Sequence, residues 1–245
     1  LETITKVLTA AAQSDDNFTI DENTDILATY RDRVIDAYFV DFEGKKVGES
    51  MNLGKDDLKN IQVASTSDLK KQNDIIKKIE KGDADAAKSL RLPVYVFDIN
   101  AQTITVLPIY GAGLWGPVWG YLAFAQDGRS IDGAIFDHKS ETPGLGAKIA
   151  EEPFYGQFKG HKLTDEGGFS VVKGGAHGDI NSVDAISGAS ITSRAVGTTI
   201  NIWMKYYLPY LNSLAEKNAA AQQLGAETED EAALEAAEAE NKEEE

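Results

Sequence analysis

The chain has 245 residues, enough for one sizeable core, and a formal charge of −16. Residues 216–245 hold eleven acidic and two basic side chains, so −9 of that charge sits in this last stretch and −7 in the rest. An acidic body with an acidic tail argues against nucleic acid or an anionic membrane as the main partner. The absence of cysteine excludes disulfides, iron–sulfur clusters and thiolate metal sites built from this chain.

Ile4, Val7, Leu8 and Ala11 form a helical stripe over residues 1–13, and 17–23 is a polar break. Residues 25–30 read as a short helix and 34–40 as a strand, followed by a turn over 43–46. From 55 to 87 the composition shifts to Lys, Asp, Asn and Gln. This region reads as an insertion with a helix over 72–80 whose charges are solvated surface. Residues 93–98 and 103–107 pair as a hairpin, and 118–124 pairs with 131–136 across Gln126-Asp127-Gly128-Arg129. A further strand is expected at 169–173. Turns rather than crossover helices link these strands, which predicts a mainly antiparallel sheet and an α+β domain.

Residues 103–126 carry no charge, but Gly111, Gly113, Gly116, Pro117 and Gly120 interrupt them too often for a membrane helix. Late in the chain, Val196, Ile200, Trp203, Met204 and Tyr207 recur at helical spacing, with Pro209 as the expected stop. The Ala/Glu alternation beyond Leu214 predicts a mobile, partly helical acidic tail. The expected division is therefore an N-terminal helical stub, strand and insertion (1–92), a central domain (93–214) and the tail (215–245).

Three stretches carry the chemistry. Asp184-Ala185-Ile186-Ser187-Gly188-Ala189-Ser190 is a small-residue turn running into the late helix, with Ser187, Ser190 and Thr192 as candidate capping hydroxyls. A helix start of this kind suits a phosphate, although an ordinary N-cap would read the same. Glu141-Thr142-Pro143-Gly144-Leu145-Gly146 is a stiffened loop. Leu145 is either an apolar tip for a flat ring, with Thr142 addressing its polar edge, or a plug for the core. Gly111-Ala112-Gly113-Leu114-Trp115-Gly116 has dinucleotide-fold spacing, but Pro117 and a strand follow where that fold needs a helix. It reads as a turn with Trp115 packed on the core or near a ligand. Lys173 lies a short loop ahead of the Ser-Gly-Ala-Ser turn and either offsets a phosphate or is solvent-exposed. His138, His161 and His177 fall at no metal-ligand spacing, so no metal site is expected. A Ser190-His177-Asp184 hydrolase triad is too cheap a grouping to carry weight, and no catalytic residue is assigned.

In this order, the Trp115 turn, the Glu-Thr-Pro-Gly loop and the Ser-Gly-Ala-Ser turn resemble the FMN-binding domain family of NqrC. NqrC is one of the subunits of the Na+-translocating NADH:quinone reductase, and RnfG is its relative. The resemblance covers roughly 110–207. It implies a strongly curved, mainly antiparallel sheet flanked by helices, and FMN esterified through its phosphate to Ser190 by a flavin transferase. Asp184, Ser187, Gly188 and Ala189 fill the acceptor motif, in which the family's usual threonine is replaced by Ser190. The remaining contacts it suggests are Thr192, Lys173, Glu141, Thr142, Leu145 and Trp115. It further implies a single-electron relay among the other subunits of a membrane complex. The soluble domain would then be extracytoplasmic (periplasmic), held by an inner-membrane anchor ahead of Leu1. The alternatives are an RnfG-like subunit of a ferredoxin-linked complex, a free-standing FMN redox protein, and a non-redox binding module.

Overall fold

The structure, a computed structural model, describes residues 1–243, with side chains as far as 228. Six antiparallel strands form its central sheet, in the order β2-β1-β3-β4-β5-β6. These are β1 (Val34–Val40), β2 (Lys46–Val47), β3 (Leu92–Ile99), β4 (Gln102–Ala112), β5 (Pro117–Phe124) and β6 (Ile131–His138). Alternating side chains send successive residues to opposite faces, and both faces are covered. On one, Val7, Leu8 and Ala11 of α1 (Glu2–Ala12) join Tyr30 of α2 (Ile26–Arg33) over Tyr95, Phe97, Val106 and Tyr121. On the other, Leu69 and Ile76 of α3 (Thr66–Glu80), Phe154 of the short α4 (Glu152–Tyr155) and Val196, Ile200, Trp203, Met204 and Tyr207 of α5 (Ser190–Glu243) cover Val94, Leu107, Leu122, Phe124 and Phe136. The result is three layers, helix on sheet on helix, as the α+β reading expects.

Both expected hairpins are present. Asn100 and Ala101 turn β3 into β4 with φ of 51° and 68°, the doubly left-handed arrangement that matches strand twist. At the β5–β6 turn Asp127 accepts from the Arg129 and Ser130 amides at 2.9 and 2.8 Å and from the Ser130 hydroxyl at 2.6 Å.

Four expectations need correction. The helix over 72–80 starts at Thr66, because Ser65 and Asp68 form a capping box that closes its first turn. Its region is not only surface, since Leu69, Asn73 and Ile76 are buried. The strand at 169–173 joins no large sheet: β7 (Ser170–Val172) pairs in parallel with β8 (Ser182–Asp184), a strand the sequence reading missed. Pro209 does not stop α5, which runs on to Glu243. Proline removes one N–H from the ladder and crowds the carbonyl four residues back, a cost of about 3 kcal/mol that packing must offset. Here buried Tyr207, Tyr210 and Leu211 hold the helix on both sides of it, with the Tyr207 hydroxyl donating to the Pro93 carbonyl at 2.7 Å. The segment expected as a tail over 215–245 continues this helix, and Glu244 and Glu245 lie outside the described residues.

The boundary expected at 92/93 falls at the start of β3, whose sheet neighbour β1 comes from before it. Among the described residues no helix is long and apolar enough to cross a membrane.

Candidate functional site

The end of β6, the β4–β5 turn and the start of α5 meet around one buried side chain, Glu141, which is 4% exposed. Its Oε1 accepts the Trp115 amide at 2.9 Å and its Oε2 accepts the Thr192 hydroxyl at 2.6 Å. Its own N–H donates to His138 Nδ1 at 3.2 Å, which requires that nitrogen to be unprotonated. Two glycines make room for the carboxylate. A Cβ on Gly113 would lie 2.5 Å from Oε1, and one on Gly146 would lie 2.5 Å from Oε2. Both oxygens are thus satisfied by protein donors, as a buried carboxylate requires.

From Glu141 the chain enters Thr142-Pro143-Gly144-Leu145. The Leu145 amide donates to the Thr142 carbonyl at 3.1 Å, and Gly144 has φ +74°. Proline second and a left-handed glycine third are what a type II turn demands. The turn pushes Leu145 outward, 45% exposed, so the core-plug alternative does not hold. Opposite it, Ile186-Ser187-Gly188-Ala189 repeats the device: the Ala189 amide donates to the Ile186 carbonyl at 3.0 Å around Gly188 at φ +79°. Leu145 lies directly over Gly188, where its Cδ2 would stand 3.5 Å from an added Cβ.

The start of α5 differs from the expected capping. Ser187, Ser190 and Thr192 cap nothing. Ser193 ties the turn instead, its Oγ accepting the Ile186 amide at 3.0 Å and donating to the Ala189 carbonyl at 2.9 Å. The amides of Ser190, Ile191 and Thr192 have no acceptor among the described residues, and neither does the half-buried Ser190 hydroxyl. Such amides are the unsatisfied donors of a helix N-terminus, where the dipole favours an anion. Arg194, in the same turn, donates to the Ser190 carbonyl at 3.3 Å and brings a cation beside it.

These pieces enclose a cleft of about 140 Å³. That is below the ~300–1,000 Å³ of sites that swallow a whole small molecule. It grips one end of a ligand, and the exposed apolar side chains Leu114, Trp115, Leu145 and Ile191 stand around it to meet the rest. A phosphate end and a flat ring system fit this division.

Of the residues expected from sequence, the cleft gathers Trp115, Glu141, Thr142, Leu145, Gly188, Ala189, Ser190 and Thr192. It leaves out three. Asp184 ends β8 and turns its carboxylate to the Ala176 amide, latching the 173–178 loop rather than facing the cleft. Lys173 is exposed at the end of β7, and Ser187 is exposed on the outer side of its turn. Glu141, expected as a ligand contact, has both oxygens committed to protein donors. Sequence reasoning missed Ser193, Gly146, Gly113 and Arg194. All four sit inside or beside the quoted motifs, but only the packing reveals what they do.

The fold and cleft define the class of protein. Residues 113–205 match the FMN-binding domain family, a span that begins at the Trp115 turn and ends within α5. The particular family follows from longer similarity. The NqrC protein of the Na(+)-translocating NADH-quinone reductase of Neisseria meningitidis serogroup B is 32% identical, over 83% of this chain and 78% of its own length. That of Vibrio vulnificus is 30% identical over 70% and 75%. A crystal structure of the corresponding protein from Parabacteroides distasonis superposes with a TM-score of 0.64 at 28% identity, covering 86% of this chain and 91% of that one. Shewanella oneidensis NqrC, at 22% identity and a TM-score of 0.63, shares the fold. The chain belongs to the NqrC family of Na(+)-translocating NADH-quinone reductase subunits.

Proposed function

We propose that this chain carries FMN as a phosphodiester of the Ser190 Oγ and serves as a one-electron relay within a Na+-pumping NADH:quinone reductase. The observation that carries the reading is Ser190 itself. Its hydroxyl has no partner among the described residues, and beside it lie three amides without acceptors and a rim of exposed apolar side chains. Bound flavin supplies the redox chemistry; the protein supplies attachment, orientation and electrostatics. The Ser190, Ile191 and Thr192 amides would take the phosphate oxygens, with Arg194 offsetting the remaining charge in a chain that is otherwise acidic. Leu145 and Trp115 would pack on the ring system. Glu141 acts through others, fixing Trp115 and Thr192. Asp184 holds the loop preceding the acceptor turn and does not address the phosphate. A covalent tether suits a domain outside the cytoplasm, where lost FMN would not be replaced. The partners are then the other subunits of the membrane complex and, during maturation, a flavin transferase.

Co-expression with that transferase tests the reading. Intact mass should rise by one FMN less one water. Ser190→Ala should fold yet stay colourless, and Ser190→Thr should regain the adduct. An unmodified wild-type chain under the same conditions would overturn the assignment. The Ser190 hydroxyl makes no hydrogen bond among the described residues, so its removal should cost little stability and leave the protein folded.

A further inference from the structure

A hollow of about 610 Å³ adjoins the cleft, between α3 and the ends of β4 and β5. Its volume is that of a site enclosing a whole small molecule. The 113–116 turn stands between the two: Leu114 and Trp115 face the cleft, while Gly113 and Gly116 line the hollow. Asn73, on α3, is 5% exposed. The Trp203 indole N–H donates mainly to the Tyr110 carbonyl at 2.6 Å and only distantly to Asn73 Oδ1 at 3.4 Å, while Asn73 Nδ2 donates to no acceptor among the described residues. That NH2 remains open to solvent at the wall of the hollow, where it is a fixed donor for a ligand oxygen. Tyr110 and Trp119 offer near-parallel rings, 16° apart with centroids 6.5 Å from each other. Lys70, Lys77 and Lys139 converge on the rim. Asp74 pairs with Lys70 at 2.8 Å and more distantly with Lys77 at 3.9 Å, while Lys139 has no carboxylate partner among the described residues. Solvated surface lysines alone would not explain a hollow that brings aromatic rings, an amide donor and cations together.

We propose that this hollow binds a planar aromatic anion. Its ring lies against Tyr110 and Trp119, its carboxylate, sulfonate or phosphate meets the lysines, and an oxygen accepts from Asn73 Nδ2. The cations matter because the chain as a whole repels anions, so local focusing must bring the ligand in. The site is independent of the flavin at Ser190, and occupants of the two would share only the 113–116 turn.

The test titrates naphthalene-2-sulfonate into the flavin-free chain, following tryptophan fluorescence and amide NMR shifts. The expected result is saturable binding, with shifts centred on Asn73, Tyr110 and Trp119. Affinity should fall at least tenfold in Lys77→Glu/Lys139→Glu, whose exposed side chains are not needed for folding, and should weaken as salt rises. Binding should persist after FMN is attached to Ser190. The proposal is overturned by unsaturable binding, by equal affinity in the double variant, by equal affinity for neutral 2-naphthol, or by competition from attached FMN, which would place the probe in the cleft.

Discussion

Replacing Glu141 by alanine would leave the Thr192 hydroxyl and the Trp115 amide without their acceptor. The buried Thr192 hydroxyl so stranded costs about 1–3 kcal/mol and the part-buried Trp115 amide less, so Glu141→Ala should lower the stability by roughly 2 kcal/mol and sharply reduce FMN attachment. Glu141→Gln should be mild. Its amide oxygen can still accept from Trp115, and its NH2 can donate to a Thr192 hydroxyl that turns to accept. Urea midpoints and adduct yield for both variants check this, and equal losses in the two would mean that the charge itself matters. At this scale much of the site is legible in the sequence. Pro143-Gly144 and Gly188 announce their turns, and a serine ahead of a helical stripe marks the proposed attachment point. The tasks of Asp184 and Lys173 are not legible, because nearness along the chain does not say which way a strand-end side chain faces. Nor is the double engagement of Glu141, which joins residues 26 and 51 positions away.

Among the elements, the β5–β6 hairpin depends on Asp127. Burial opposes its charge, but the Ser130 hydroxyl and the Ser130 and Arg129 amides outweigh it, holding the carboxyl below its ordinary value of 3.8. A depressed folded pKa means that the stabilisation is complete above about pH 4 and is lost as pH falls through the folded value. The gap in urea midpoint between wild type and Asp127→Asn should therefore be widest at neutral pH and close in acid; a gap independent of pH would contradict this. The β1–β2 turn packs on α5 beside Pro209, which the helix runs through. Gly44 has φ +79°, and a Cβ there would collide with the backbone of Pro209 and Tyr210. The left-handed conformation alone costs a non-glycine residue about 1–2 kcal/mol, so Gly44→Ala should destabilise by at least that, read as a lowered urea midpoint. Alternation and turn residues make the hairpins legible. The passage of α5 through Pro209 is not, since it depends on what Tyr207 and Leu211 bury against. The Ser65-x-x-Asp68 box was available to sequence reading. It is easily passed over, because only Leu69 and Ile76 of that helix carry large fully buried apolar side chains.

For the whole molecule, the two halves of the chain complete one sheet. β1 pairs with β3, and α1 with α2 covers Tyr95, Phe97 and Val106. Residues 93–214 alone would expose that face and an unpaired strand edge, and should not show a cooperative urea transition. A sharp transition of the isolated segment would contradict this. Fold class was readable from the pattern of hairpins, whereas this interdependence was not, because it rests on pairings far apart in sequence. The same frame sets Leu145, Trp115 and the start of α5 on three separate elements around one hydroxyl. Fragment mass spectrometry of the transferase-treated chain tests the central claim most directly, because Ser187, Ser190, Thr192 and Ser193 all lie within one peptide. The account predicts a single FMN, less one water, on Ser190. A flavin on another of these hydroxyls, or none at all, would contradict it.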